Sequence, residues 1–174
     1  YYEGVSQEEV EAFYNGMAAA DANNPEPISY GLNSKFMRDE EGKLVERVWK
    51  VGGMYSEALE QIVFWLEKAA TVADDTQRAT IEALIDYYRT GDLKKFDEYN
   101  ILWVKDTDCN VDFVNGFIEN YGDPLGRKAS WESVVNFRDV EACKRTEIMA
   151  ANAQWFEDNA PINPAYRKKE VKGV

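Results

Sequence analysis

The residue that most invites chemistry is Asp112, because it interrupts the apolar, β-branched run VDFVNGF over 111–117. In a strand, Asp112, Val114 and Gly116 share one face, and Val111, Phe113, Asn115 and Phe117 share the other. A carboxylate on a sheet face is costly to bury alone, so it either meets water at a cleft or pairs with a cation. Other acids come in pairs. Asp106 and Asp108 flank Thr107, and Glu119 and Asp123 flank the turn at Gly122. Such pairs suit Ca²⁺ binding or acid–base work. A Ca²⁺ loop needs oxygen ligands at alternating positions with a closing Glu. That spacing is missing, so these acids read as solvated turn residues. Gly52-Gly53 ahead of a helix offers backbone N–H groups to an anion, but a strand-to-helix break is the simpler reading.

Composition removes whole classes of function. The 174 residues contain no histidine, which leaves no HExxH zinc site, no Ser-His-Asp triad and no Cys-His dyad within them. The net charge of −12 argues against nucleic acid, whose phosphates call for Lys and Arg. No apolar run approaches the ~20 residues that span a bilayer, so no membrane partner is expected. Neither GxGxxG nor GxxxxGK[ST] occurs. GGMYSEALE (52–60) invites a Nudix reading, but that box needs a glutamate-rich helix to hold metal, and 58–65 supplies only Glu60. Cys109 and Cys143 read as reduced, part-buried thiols. Most of the five Trp, ten Tyr and eight Phe fall at helical core spacing and read as core packing rather than a sugar or peptide groove.

These residues need elements to position them. Ser6 with Glu9 makes a capping box ahead of a helix over 6–20. Segments 28–37 and 43–51 flank DEEG, and alternation in the second arm predicts a β-hairpin with Gly42 in its turn. A helix over 54–73 follows, with Val63, Phe64 and Trp65 widening its apolar face so that it buries more than one side. Asp74 or Asp75 caps a helix ending at Gly91, with Ile81, Leu84, Ile85 and Tyr88 inward, and Asp92 caps another over 93–104. Val111–Tyr121 favours strand. Ser130 is expected to cap one long helix over 131–159, with Trp131, Val135, Ala142, Met149, Ala153 and Phe156 on a stripe. The fold class is α+β, predominantly helical: long helices with a β-hairpin and at least one further strand. Tyr1 is not an initiator Met, and RKKEVKGV (167–174) reads as a strand cut off in mid-pattern, which suggests a piece of a longer protein.

The segment VNGFIENYGDPLGRKASWESVVNF (114–137) resembles the dipeptidyl peptidase III family of zinc-dependent exopeptidases. That family carries a segment of the form GFIExYxDPxGxxxxxE, met here by Gly116, Phe117, Ile118, Glu119, Tyr121, Asp123, Pro124, Gly126 and Glu132. PISYGLNSKF (27–36) and DLKKFDEYNILWVKDTD (92–108) resemble bacterial-type members.

The resemblance implies an internal fragment of a two-lobed peptidase. Residues 1–131 would be part of the substrate-binding, β-barrel-containing lobe, and 132–174 a long connecting helix towards the zinc-bearing lobe. The family's zinc is held by an HExxGH helix and a later Glu, which this chain lacks. Zinc is therefore expected in the parent enzyme and none in this chain, which alone should be inactive. The parent would release N-terminal dipeptides from oligopeptides. Asp112 matches an acidic position that helps hold the substrate's N-terminal ammonium, while Val114 stands where eukaryotic members carry a substrate-contacting Tyr. The implied partners are oligopeptide substrate and the remainder of the parent chain, and the implied compartment is the cytoplasm, with the periplasm as alternative. Two other readings stand beside this one: a non-enzymatic helical interaction module related to the peptidase, and a carbohydrate-binding or hydrolytic domain, which would need two carboxyls across a groove.

Overall fold

The computed structural model describes residues 1–171. The strand-like ending expected over 167–174 falls partly on 172–174, outside the described residues, and 167–171 are not in a strand. The chain divides into two compact units: 1–109 with 113–134, and 110–112 with 135 onward.

The first unit begins with β1 (Tyr2–Glu3) and α1 (Gln7–Ala20). The Ser6 hydroxyl caps the Glu9 N–H while the Glu9 carboxylate accepts from the Ser6 N–H, so two otherwise orphaned donors are satisfied at once. The hairpin is β2 (Ser34–Arg38) against β3 (Leu44–Val48), antiparallel with Ser34 opposite Val48 and Arg38 opposite Leu44. Gly42 takes a φ of +79° in the turn, which L side chains rarely adopt. The arms are shorter than expected because 28–33 turn rather than extend. β1 adds to β2 in parallel, a two-residue strand too short to show a period.

Three helices complete the scaffold: α2 (Ser56–Ala70), α3 (Asp75–Thr90) and α4 (Leu93–Lys105). Asp74 and Asp92 cap α3 and α4 through their carboxylates, and Gly91 closes α3 in the left-handed region. Ile81, Leu84, Ile85 and Tyr88 of α3 are all buried, as their spacing predicts. They meet Leu59 and Val63 of α2, Phe96 and Tyr99 of α4, and Phe117 in one core. A second, smaller core holds Val10, Tyr14 and Phe36. α2 departs from expectation. Phe64 and Trp65 lie outside the core and are exposed, so the helix buries one side only.

The largest correction concerns 130–159. Instead of one helix from Trp131, the chain forms β5 (Ser130–Phe137), then α5 (Val140–Ala151) and α6 (Ala153–Asn159), with a break at Asn152. SWESVVNF is rich in β-branched and aromatic residues and pairs with β4 (Val111–Glu119). Ser130 is no helix cap: its hydroxyl donates to the Glu119 carbonyl at 3.2 Å. Asp139 caps α5 instead, accepting from the Ala142 N–H at 2.9 Å. No residue of α5 or α6 is buried, so the expected apolar stripe is no core face among the described residues. The second unit comprises 110–112, the end of β5, these two helices and a 3₁₀ turn at Pro164–Tyr166. The whole is α+β with helix predominating.

Candidate functional site

β4 carries the sequence-predicted site. Asp112 lies near its start, half-buried, within the second unit; Val114 is also half-buried. Further along, Gly116 and Phe117 are buried, and the Phe117 ring packs 4.8 Å from that of Trp49. Gly116 is small for a reason: a Cβ there would stand 3.0 Å from Phe96 Cε2.

Asn115, on the strand face opposite Asp112 in the sequence reading, sits in a hydrogen-bonded chain. Trp131 Nε1 donates to the Tyr88 hydroxyl at 3.1 Å, the Tyr88 hydroxyl donates to Asn115 Oδ1, and Asn115 Nδ2 donates to Ser133 Oγ at 3.1 Å. Tyr88 is wholly buried, and burial pushes its hydroxyl above the ordinary tyrosine value. Beside this chain lies a cavity of about 740 Å³ with mainly apolar walls, among them Trp49, Tyr55, Leu59, Ile62, Phe117 and Trp131.

The paired acids divide. Asp123 is not a solvated turn acid: it is 4% exposed. Its carboxylate accepts from the Tyr2 hydroxyl at 2.6 Å and from the N–H groups of Leu125, Arg127 and Lys128 at 3.1, 2.9 and 2.8 Å. Burial alone would push its pKa up. These donors outweigh burial and hold it below the usual carboxylate value. It is the knot of the β4–β5 connection. Asp106 ends α4, where its N–H bonds the Leu102 and Trp103 carbonyls. Gly52-Gly53 is the expected break: the Gly52 N–H donates to Ser56 Oγ at 2.7 Å and the Gly53 N–H to the Lys50 carbonyl at 2.9 Å. Cys109 and Cys143 are part-buried and are not joined in a disulfide. Many aromatics pack in the two cores, but Trp65, Tyr121, Phe137 and Trp155 do not.

Lys128 had no signal in the sequence. Its side chain is fully buried, and Nζ donates to Ser34 Oγ at 2.8 Å and to the Tyr14 hydroxyl, with Glu46 Oε1 3.7 Å away. Glu46 also accepts from Tyr14 at 2.7 Å and from Ser34 at 2.6 Å. Burial pushes the Lys128 pKa down to about 8, against the raising pull of Glu46 and Asp123. The cluster ties α1, the hairpin and the β4–β5 connection together.

Among the described residues, no group of three or more His, Cys, Asp or Glu side chains could hold a metal ion. No helix among them is long and apolar enough to cross a membrane.

Comparisons with known proteins agree with the β4 motif. The chain is 27% identical to dipeptidyl peptidase 3 of Rattus norvegicus over 117 residues, 67% of this chain and 16% of that protein. It thus spans about a sixth of the length of that relative. A stretch covering 46% of the chain is 31% identical to 10% of a protein named Nudix hydrolase 3 in Arabidopsis thaliana. The glutamate-rich helix of a Nudix box is still missing here, where only Glu60 stands in 58–65. The structure of dipeptidyl-peptidase III from Corallococcus sp. strain EGB shares the fold, with a TM-score of 0.63 at 23% identity, covering 98% of this chain and 30% of that one. The sequence model of Peptidase family M49 matches residues 14–173, nearly the whole chain. The chain belongs to Peptidase family M49.

Proposed function

We propose that this chain is part of a zinc-dependent dipeptidyl peptidase, that 1–131 belong to its substrate-binding lobe, and that 132–174 lead towards a zinc-bearing lobe. The observation that carries this reading is the motif on β4 and its continuation, Gly116 to Glu132, within the family match. The residues present do not fit a zinc site, because the chain has no histidine and the described residues offer no ligand cluster. Metal-bound chemistry is therefore assigned to parts of a longer protein, and no step is derived through it here. This chain's own contribution is to bind and orient oligopeptide. Asp112, a half-buried carboxylate on β4, pairs with the N-terminal ammonium of the peptide. An ammonium held at a fixed point counts residues, and it presents the second peptide bond to the chemistry. Val114 offers an apolar contact in place of a phenol.

The test is release of a dipeptide from a dipeptidyl-arylamide by the full-length protein, with and without chelator, for wild type and Asp112→Ala. Chelator-sensitive release that Asp112→Ala weakens through KM supports the reading. Release that Asp112→Ala leaves unchanged removes Asp112 from it. No release at all favours the interaction-module alternative.

A further inference from the structure

β5 lacks the usual means of holding register. Strands are fixed in place by burying one face, since a one-residue slip exchanges the two faces. None of the eight residues of β5 is buried. β4 is anchored at one end by Gly116 and Phe117, whereas Val111–Asn115 contains no fully buried residue. Beyond the buried connection at Asp123 to Ala129, polar ties between the strands hold the pairing. Ser130 reaches the Glu119 carbonyl, Asn115 reaches Ser133, and the Arg138 N–H reaches the Asn110 carbonyl at 2.9 Å, so the strands run antiparallel. Asn115 is the member of this set whose carboxamide is used at both ends, by Tyr88 of α3 and by Ser133 of β5.

We propose that Asn115 is the key that sets the register of β4 against β5. A slip of β5 by one residue would bring Glu132 or Val134 opposite the Asn115 amide, where Ser133 now stands, and would carry Trp131 Nε1 away from Tyr88. The buried Tyr88 hydroxyl would then lose the donor it accepts from, and a buried polar group resists that loss. Asn115 thus converts the fixed position of a core tyrosine into a fixed pairing for an unburied strand.

One measurement tests this. In the 174-residue chain, Asn115→Leu is compared with wild type by hydrogen exchange resolved over peptides. Exchange over 111–119 and 130–137 should quicken by about tenfold or more, while 75–90 and 34–48 keep their protection. No change, or an equal rise everywhere, overturns the register key.

Discussion

Lys128 Nζ lies 2.8 Å from Ser34 Oγ, and both side chains are shut away from water. The pair joins the end of the β4–β5 connection to the first strand of the hairpin, across 94 residues of sequence. An ammonium in such a place is costly, and its pKa falls to about 8 as a result.

That depression gives a pH dependence with a definite sign. Above pH 8 the folded chain holds Lys128 neutral, while the unfolded chain keeps it protonated until its ordinary value of 10.5. The unfolded state then binds more protons, so stability rises with pH in this window. Measured against Lys128→Met as reference, the wild type should gain on the order of 2 kcal/mol between pH 7.5 and 10 in urea midpoints. Above about pH 10 the stability of wild type and variant falls alike, because Tyr2, Tyr14, Tyr87 and Tyr88 are held above their ordinary value and ionise first in the unfolded chain. A flat difference curve would mean that Lys128 stays charged in the fold.

Asp123 predicts the acid side. Its folded pKa is depressed, so its contribution is complete above the ordinary carboxylate range and is lost as pH falls through the folded value. Asp123→Asn replaces an acceptor of four hydrogen bonds with a group that donates on one side, at a cost of about 1–3 kcal/mol at pH 7. The gap between variant and wild type should narrow below pH 4, as read from denaturant midpoints.

Phe117 is 4% exposed and packs against Trp49 at a tilt of 48° in the main core. Phe117→Ala should cost about 3–5 kcal/mol in chemical denaturation. Trp fluorescence should change with it, since an indole loses its neighbouring ring.

Gly31 takes a φ of +85°, and a Cβ there would lie 2.6 Å from Tyr14 Cζ. Gly31→Ala meets both a disfavoured backbone and a buried ring that also holds Glu46 and Lys128. A loss above about 1 kcal/mol is expected, together with a shift of the Lys128-linked pH window. Unchanged thermal stability would contradict the close approach.

Local signals made most of the scaffold legible. Ser6 with Glu9, Asp74, Asp92 and Gly91 mark helix ends through contacts across two to four residues, which a sequence displays directly. The inward face of α3 followed from its period. β5 was hidden because Trp131 and Val135 fit both a helical stripe and an alternating strand, and the arbiter was pairing with β4. Trp65 is apolar and correctly spaced, yet exposed, since spacing states which residues share a face but not how wide the covered part is. Asp112 was visible as an anomaly within an apolar run. Lys128 was not, because its partners Tyr14, Ser34 and Glu46 are distant in sequence and no pattern links them.

The absence of buried residues in β5 has a colloidal consequence. A two-stranded ribbon leaves backbone N–H and C=O groups on its outer rim, and here that rim carries Trp131, Val134, Val135 and Phe137, between 42% and 79% exposed. Such a rim is a template for pairing with another chain. Expressed as 174 residues, the protein should be limited by aggregation rather than by unfolding. Adding Lys at Val134 or Val135 should raise its solubility without touching either core.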